Sequence, residues 1–158
     1  MPALDAVVDP DSAVRRGKIS RVEIGAESKI LAKAMIKQVD RVIGDLLRQV
    51  GQFKRSEADA ITVAIVGINH AARYVSHEGN RSYATDGTAK YRHPVQEAAE
   101  AERRVVAQVG PVVDHLIALR FKATNEPPYP FSWVNAALTA QEYSAMLTRI
   151  SVDYDKRF

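Results

Sequence analysis

Residues 26–50 read AESKILAKAMIKQVDRVIGDLLRQV, and the fold turns on how that stretch is read. Ile30, Leu31, Met35, Val39, Val42, Ile43, Leu46, Leu47 and Val50 recur at three- and four-residue intervals. That spacing sets apolar side chains along one face of a helix. Gly51 supplies a C-terminal stop. The stretch is therefore predicted to be one amphipathic helix from Ala26 to Val50, in which Gly44 costs about 1 kcal/mol relative to alanine. Its polar side carries Lys29, Lys33, Lys37 and Arg41 at four-residue steps, extended by Arg48. At ~1.5 Å per residue the row covers roughly 28 Å, and each four-residue step drifts about 40° around the axis.

Such a row suits a polyanion better than a small substrate, because Lys and Arg contacts to phosphate supply most sequence-independent nucleic-acid affinity. Only Asp40 and Asp45 stand between Lys29 and Arg55, and lysine four residues from lysine is mildly unfavourable on a helix. Three readings of the row stay open: a polyanion surface, a solvated helix face, and a contact for an acidic protein or a membrane surface.

On the N-terminal side, residues 1–25 read as a basic arm, interrupted by Pro2, Pro10 and Gly17 and carrying Arg15, Arg16, Lys18 and Arg21. Lys18 to Ile24 alternates weakly and fits one short extended segment. On the other side, Ser56 and Asp59 resemble a capping box for a second helix to about His77. Ile61, Ala64, Ile65, Ile68, Ala72 and Val75 would form its inner face. Ala60, Val63, Val66 and Ala71 make it apolar nearly all round, as for a helix central in a bundle. Residues 78–93, EGNRSYATDGTAKYRH, then form a long loop. It interleaves Arg81, Tyr83, Lys90, Tyr91 and Arg92. Aromatic rings among cations suit stacking on unpaired bases, and equally suit tyrosines packed back on the domain.

A third helix is predicted from Pro94 to about Lys122, with Val95, Ala98, Val105, Val109, Val112, Leu116 and Ile117 inward and a kink or split at Pro111. Asn125 to Pro130 is a rigid turn. Ser132 would cap a short helix through Leu138, and Thr139 with Glu142 would cap a last helix carrying Tyr143, Met146, Leu147 and Ile150. The tail SVDYDKRF reads as frayed. Trp133 beside Phe131 is a core or interface anchor.

The 158 residues favour one domain with an arm, and 46% apolar residues can build a core. Cysteine is absent, which excludes disulfides and thiolate chemistry. No apolar run has the ~18–20 residues that span a bilayer, and the N-terminus lacks the pattern of a secretory signal. A cytoplasmic protein without a membrane partner is the expectation. The net charge of +3 is uneven: residues 12–55 hold eleven Lys and Arg against four acids, and residues 94–158 hold seven against eight. That asymmetry favours an anionic partner for the N-terminal half.

Catalytic and metal motifs are lacking. His70 and His77, seven apart on a helix, would stand roughly 10 Å from each other, too wide for one ion. His93 and His115 have no carboxylate at a familiar spacing, and there is no HExxH or di-iron ExxH pair. Glu97, Glu100 and Glu102 near a helix start are explained by the helix dipole, and Glu100 with Arg104 by i+4 pairing. There is no glycine-rich phosphate loop and no GxSxG. No enzyme, metal or cofactor is expected.

In modest length, helical pattern, the basic series Lys29, Lys33, Lys37, Arg41 and Arg48, and lack of catalytic groups, the chain resembles the small helical subunit of multi-subunit CRISPR effector complexes. The resemblance implies an all-helical subunit that lines a ribonucleoprotein filament and meets nucleic acid through positive patches. The sequence-based expectation is thus an all-α bundle of four to six helices over residues 26–158. It would carry a partly extended basic arm (1–25) and one long loop (about 78–93). Its expected role is a non-enzymatic assembly subunit that binds RNA or single-stranded DNA without sequence preference, beside other protein subunits including copies of itself. Lys29, Lys33, Lys37, Arg41, Arg48, Lys54, Arg55, Arg81, Lys90 and Arg92 would contact the nucleic acid. The alternative is a helical interaction, adaptor or inhibitor module whose basic face meets an acidic protein.

Overall fold

The stretch from Ala26 to Val50 is not one helix but a strand and then a helix. A computed structural model describes residues 21–33, 35–76, 81–85 and 93–158. Strand β1 spans Ile24–Leu31 and helix α1 spans Met35–Ser56. The all-α expectation is therefore overturned: the domain is mixed α/β. Isolated, AESKILAKA favours a helix. In the fold, residues 24–31 instead pair with a second strand, β2 (Ile61–Asn69), and tertiary pairing outweighs local propensity. Gly25 lies against the Phe53 ring, with no room there for a Cβ. Gly51 does not end α1, which continues through the position expected to cap a second helix.

That second helix is also corrected. Residues 61–69, ITVAIVGIN, are rich in β-branched side chains and buried almost throughout, so they form the interior strand β2. A short apolar run of this kind lacks a decisive period, and its all-round apolarity reflects a strand covered on both faces. The hairpin β3 (Arg73–Ser76) and β4 (Arg81–Ala84) follows, so the expected long loop is partly antiparallel sheet. Helix α2 (Pro94–Val109) starts at the proline as expected. It stops before Pro111, and residues expected to continue it form β5 (His115–Ala123). Of the short helix expected from Ser132 through Leu138, the start belongs instead to the strand β6 (Phe131–Trp133) and the end to the long helix that follows. Helix α3 (Ala136–Arg157) is capped by Asn135, whose side chain accepts from the Leu138 N–H, and it takes in the tail expected to fray.

The main sheet has the order β1-β2-β5-β6, parallel up to β5 and antiparallel at β6. Helices α1 and α2 pack side by side over one face. Leu31, Met35, Val39, Leu46, Val66, Ile68, Val105 and Val109 fill that layer. Helix α3 crosses the other face, where Met146 meets Ile61, Val63 and Ile117. At the C-terminal ends of the strands the buried Asn69 ties three segments together. Its Nδ2 donates to Ala32 O and Ala123 O, and its Oδ1 accepts from the amides of Ala71 and Ala123. No helix among the described residues is long and apolar enough to cross a membrane.

Candidate functional site

Helix α1 buries Met35, Val39, Val42, Ile43, Leu46 and Val50, which fixes its rotation. At 100° per residue, Lys37, Arg41 and Arg55 all fall within about 20° of Arg48, diametrically opposite Val39. All four are exposed. The cations therefore stand on one straight outer ridge, about 27 Å long at ~1.5 Å per residue. The exposed Gly44 lies on the same ridge, and an added Cβ there would meet nothing within 4 Å. The helix backbone is bare at that point.

The two acids of α1 lie to either side of the ridge. Asp40 points toward α2, where its Oδ1 is 3.3 Å from Arg104 Nη1. Asp45 lies on the opposite flank, about 60° from the ridge line, and its Oδ1 accepts from Arg48 Nη2 at 2.5 Å. Lys37, Arg41 and Arg55 pair with no carboxylate among the described residues. Helix α2 offers no comparable ridge, because Glu100 binds both Arg103 and Arg104 at 2.8 Å. Those hydrogen bonds hold the Glu100 carboxyl down at about 2.

The other expected contact residues separate from this ridge. Lys29 is on β1, half-buried, with its Nζ 2.6 Å from Glu27 Oε1. Lys33 lies in the turn between β1 and α1. Lys54 is on the flank of α1, where its Nζ donates to Ala60 O at 2.7 Å and to Asp114 Oδ2 at 3.2 Å. Arg81 is in β4, while Lys90 and Arg92 lie outside the described residues. Tyr83 packs back on the core, its ring centroid 5.3 Å from that of Tyr74.

Two polar networks were not foreseen. Asp114, just before β5, accepts from the Thr62 amide and hydroxyl, from Lys54 and from Arg157 of α3. Burial pushes its carboxyl up, but these donors outweigh burial and hold it below the ordinary carboxylate range. Arg120 of β5 binds Glu102 of α2, with Nη2 2.6 Å from Oε1, and Glu142 of α3 at 3.3 Å. His70 Nε2 stands 3.3 Å from Glu102 Oε2. Burial lowers the His70 imidazole despite that carboxylate. Both networks join residues 18 to 60 positions apart, beyond any local sequence signal. Each ties separate elements together.

No group of three or more His, Asp or Glu suited to a metal ion occurs among the described residues. Comparison with family models, with curated proteins and with solved structures found no match to the chain. Of the features behind the likeness to a CRISPR small subunit, the fold removes two: the all-helical pattern and the basic series running unbroken along one helix from Lys29.

Proposed function

We propose that this domain binds a polyanion, with nucleic acid the leading candidate, through the outer ridge of α1. The carrying observation is the alignment of Lys37, Arg41, Arg48 and Arg55 on one exposed line of a rigid helix, with both acids of that helix turned to its flanks. A helix held by six buried residues presents these charges at fixed spacing, so little side-chain order is lost beyond the cations themselves. A row of cations at fixed spacing suits the repeating phosphates of a nucleic-acid backbone, and binding of that kind has no sequence preference.

Fluorescence polarisation with labelled single- and double-stranded DNA and RNA tests this across a salt series. Four phosphate contacts on duplex DNA give a slope of log affinity against log salt of about −3 to −4. The variant Lys37→Glu/Arg41→Glu/Arg55→Glu, confirmed folded by circular dichroism, should lose binding. Absence of binding by the wild type at low salt, or undiminished binding by the variant, overturns the reading. Salt-sensitive binding to polyglutamate but to no nucleic acid would move the partner to an acidic protein.

A further inference from the structure

Strand β1 is an outer strand of the sheet and pairs only with β2 among the described residues. Its two edges are fixed by one hydrogen bond. The Ile61 amide donates to Glu23 O, so the backbone groups of Glu23, Gly25, Glu27, Lys29 and Leu31 point toward β2. Those of Ile24, Ala26, Ser28 and Ile30 point away from the sheet. An unpaired row of this kind is a template for another strand. Natural outer strands guard it with proline, a bulge, charged side chains or a covering helix or loop. Residues 24–31, IGAESKIL, contain no proline, and their two charges, Glu27 and Lys29, cancel.

Only registers that match outward groups with outward groups are available to two antiparallel copies of β1. Centred on Ser28, Glu27 faces Lys29 of the second copy and Lys29 faces its Glu27. Moved one step either way, Glu27 faces Glu27 or Lys29 faces Lys29, and like charges directly opposite are destabilising. In the Ser28 register the Glu27 and Lys29 pairs fall at the closer, non-hydrogen-bonded positions, where side chains interact most strongly. Ala26 then faces Ile30 on the opposite side of the sheet, beside a side chain that is 65% exposed in the single chain. The flank of α1 over this edge carries Gln38, Asp45 and Gln49, and the cationic ridge points away from it.

We propose that two copies of this chain associate through the outer edges of β1, antiparallel and centred on Ser28, joining two sheets into one. The contact is isologous, so it closes at two copies. It brings the two ridges to the same side of the joined sheet.

The full chain tests this, because it has no native cysteine. In the Ser28 register the two Ser28 Cα atoms lie about 5.5 Å apart, within disulfide reach. Ser28→Cys should therefore form an oxidised dimer in high yield. Ala26→Cys should not, since the two Ala26 positions lie roughly 14 Å apart at ~3.4 Å per residue. By analytical ultracentrifugation, the wild type should dimerise between micromolar and near-millimolar concentration. Glu27→Lys should weaken the dimer roughly tenfold or more, and the exchange Glu27→Lys/Lys29→Glu should restore it. Circular dichroism confirms that each variant is folded. A wild type that stays monomeric overturns the proposal. So does a dimer that ignores Glu27→Lys, and so does equal crosslinking at residues 26 and 28.

Discussion

On the side of the sheet covered by α1 and α2, Leu31, Met35, Leu46, Val66, Ile68, Val105 and Val109 are all fully buried. On the side crossed by α3, Met146 is the one buried residue of a 22-residue helix, and Ile30 and Phe131 stay more than half exposed. The first layer is held by interlocking apolar stripes. The second is held largely by polar pins. Arg157 reaches Asp114 at 2.7 Å, Tyr154 donates to Glu23 at 2.9 Å, and His115 stands 2.9 Å from Asp153. Near the start of α3, Glu142 reaches Arg120. One sheet thus carries a packed face and a pinned face. The α1 ridge stands on the packed one, where a fixed array of charges is best supported.

Leu46→Ala should bring out the largest effect. Removing a fully buried leucine costs about 3–5 kcal/mol in such a layer, read from urea unfolding. Met146→Ala should cost less, about 2 kcal/mol, because side chains under an otherwise exposed helix collapse more easily into the space. Equal losses at the two positions would break the contrast between the faces. Hydrogen exchange offers a second view: α3 amides should exchange faster than those of α1 and α2.

Next in size is the pin. Asp114→Asn keeps the shape but removes a charge-assisted hydrogen bond to Arg157, at a cost of about 1–3 kcal/mol. Because the folded Asp114 carboxyl titrates below its ordinary value, its contribution is complete above pH ~4 and is lost as pH falls through the folded value. His70 adds a second window with the same sign. Its folded imidazole is lowered, so the unfolded chain binds more protons just below pH ~6.5, and stability falls as pH drops through that range. Loss of the Asp114 pin as pH falls should release α3, which buries one residue, before α1, which buries six. Simultaneous loss of both helices would show that the pins do not set the order.

The same contrast explains what the sequence could tell. Helix α2 was legible from Pro94 and its apolar period, and the second half of α1 from Val39, Val42, Leu46 and Val50. These segments build the packed face, where burial follows a 3.6-residue stripe. Strand β2 was not legible, since an interior strand is apolar on both faces and imitates a central helix. Strand β1 was hidden because Ile30 and Leu31 happen to continue the period of the helix after them. The basic row was misread in its first members for the same reason. Lys29 and Lys33 left the helix, while Lys37, Arg41 and Arg48 stayed on it and Arg55 joined their line. The pins were invisible because Asp114 and Arg157 lie 43 residues apart and meet only through the fold.

The smallest effect should come from the open end of the pinned face. Ile30 and Phe121 close over Gly67, Phe131 stacks on Phe121 at 5.5 Å, and Trp133 meets the Phe131 edge at 5.1 Å. This apolar strip crosses all four strands beyond the reach of Met146. Phe131 is 58% exposed, so Phe131→Ser gives up the stack on Phe121, the edge contact with Trp133 and little buried area. The expected cost is under about 1.5 kcal/mol. The variant should also bind less of a dye that reports exposed apolar surface. A cost near that of Leu46→Ala would mean that something covers the strip in solution. The two faces would then be equally packed, and the pins would supplement a core instead of replacing one.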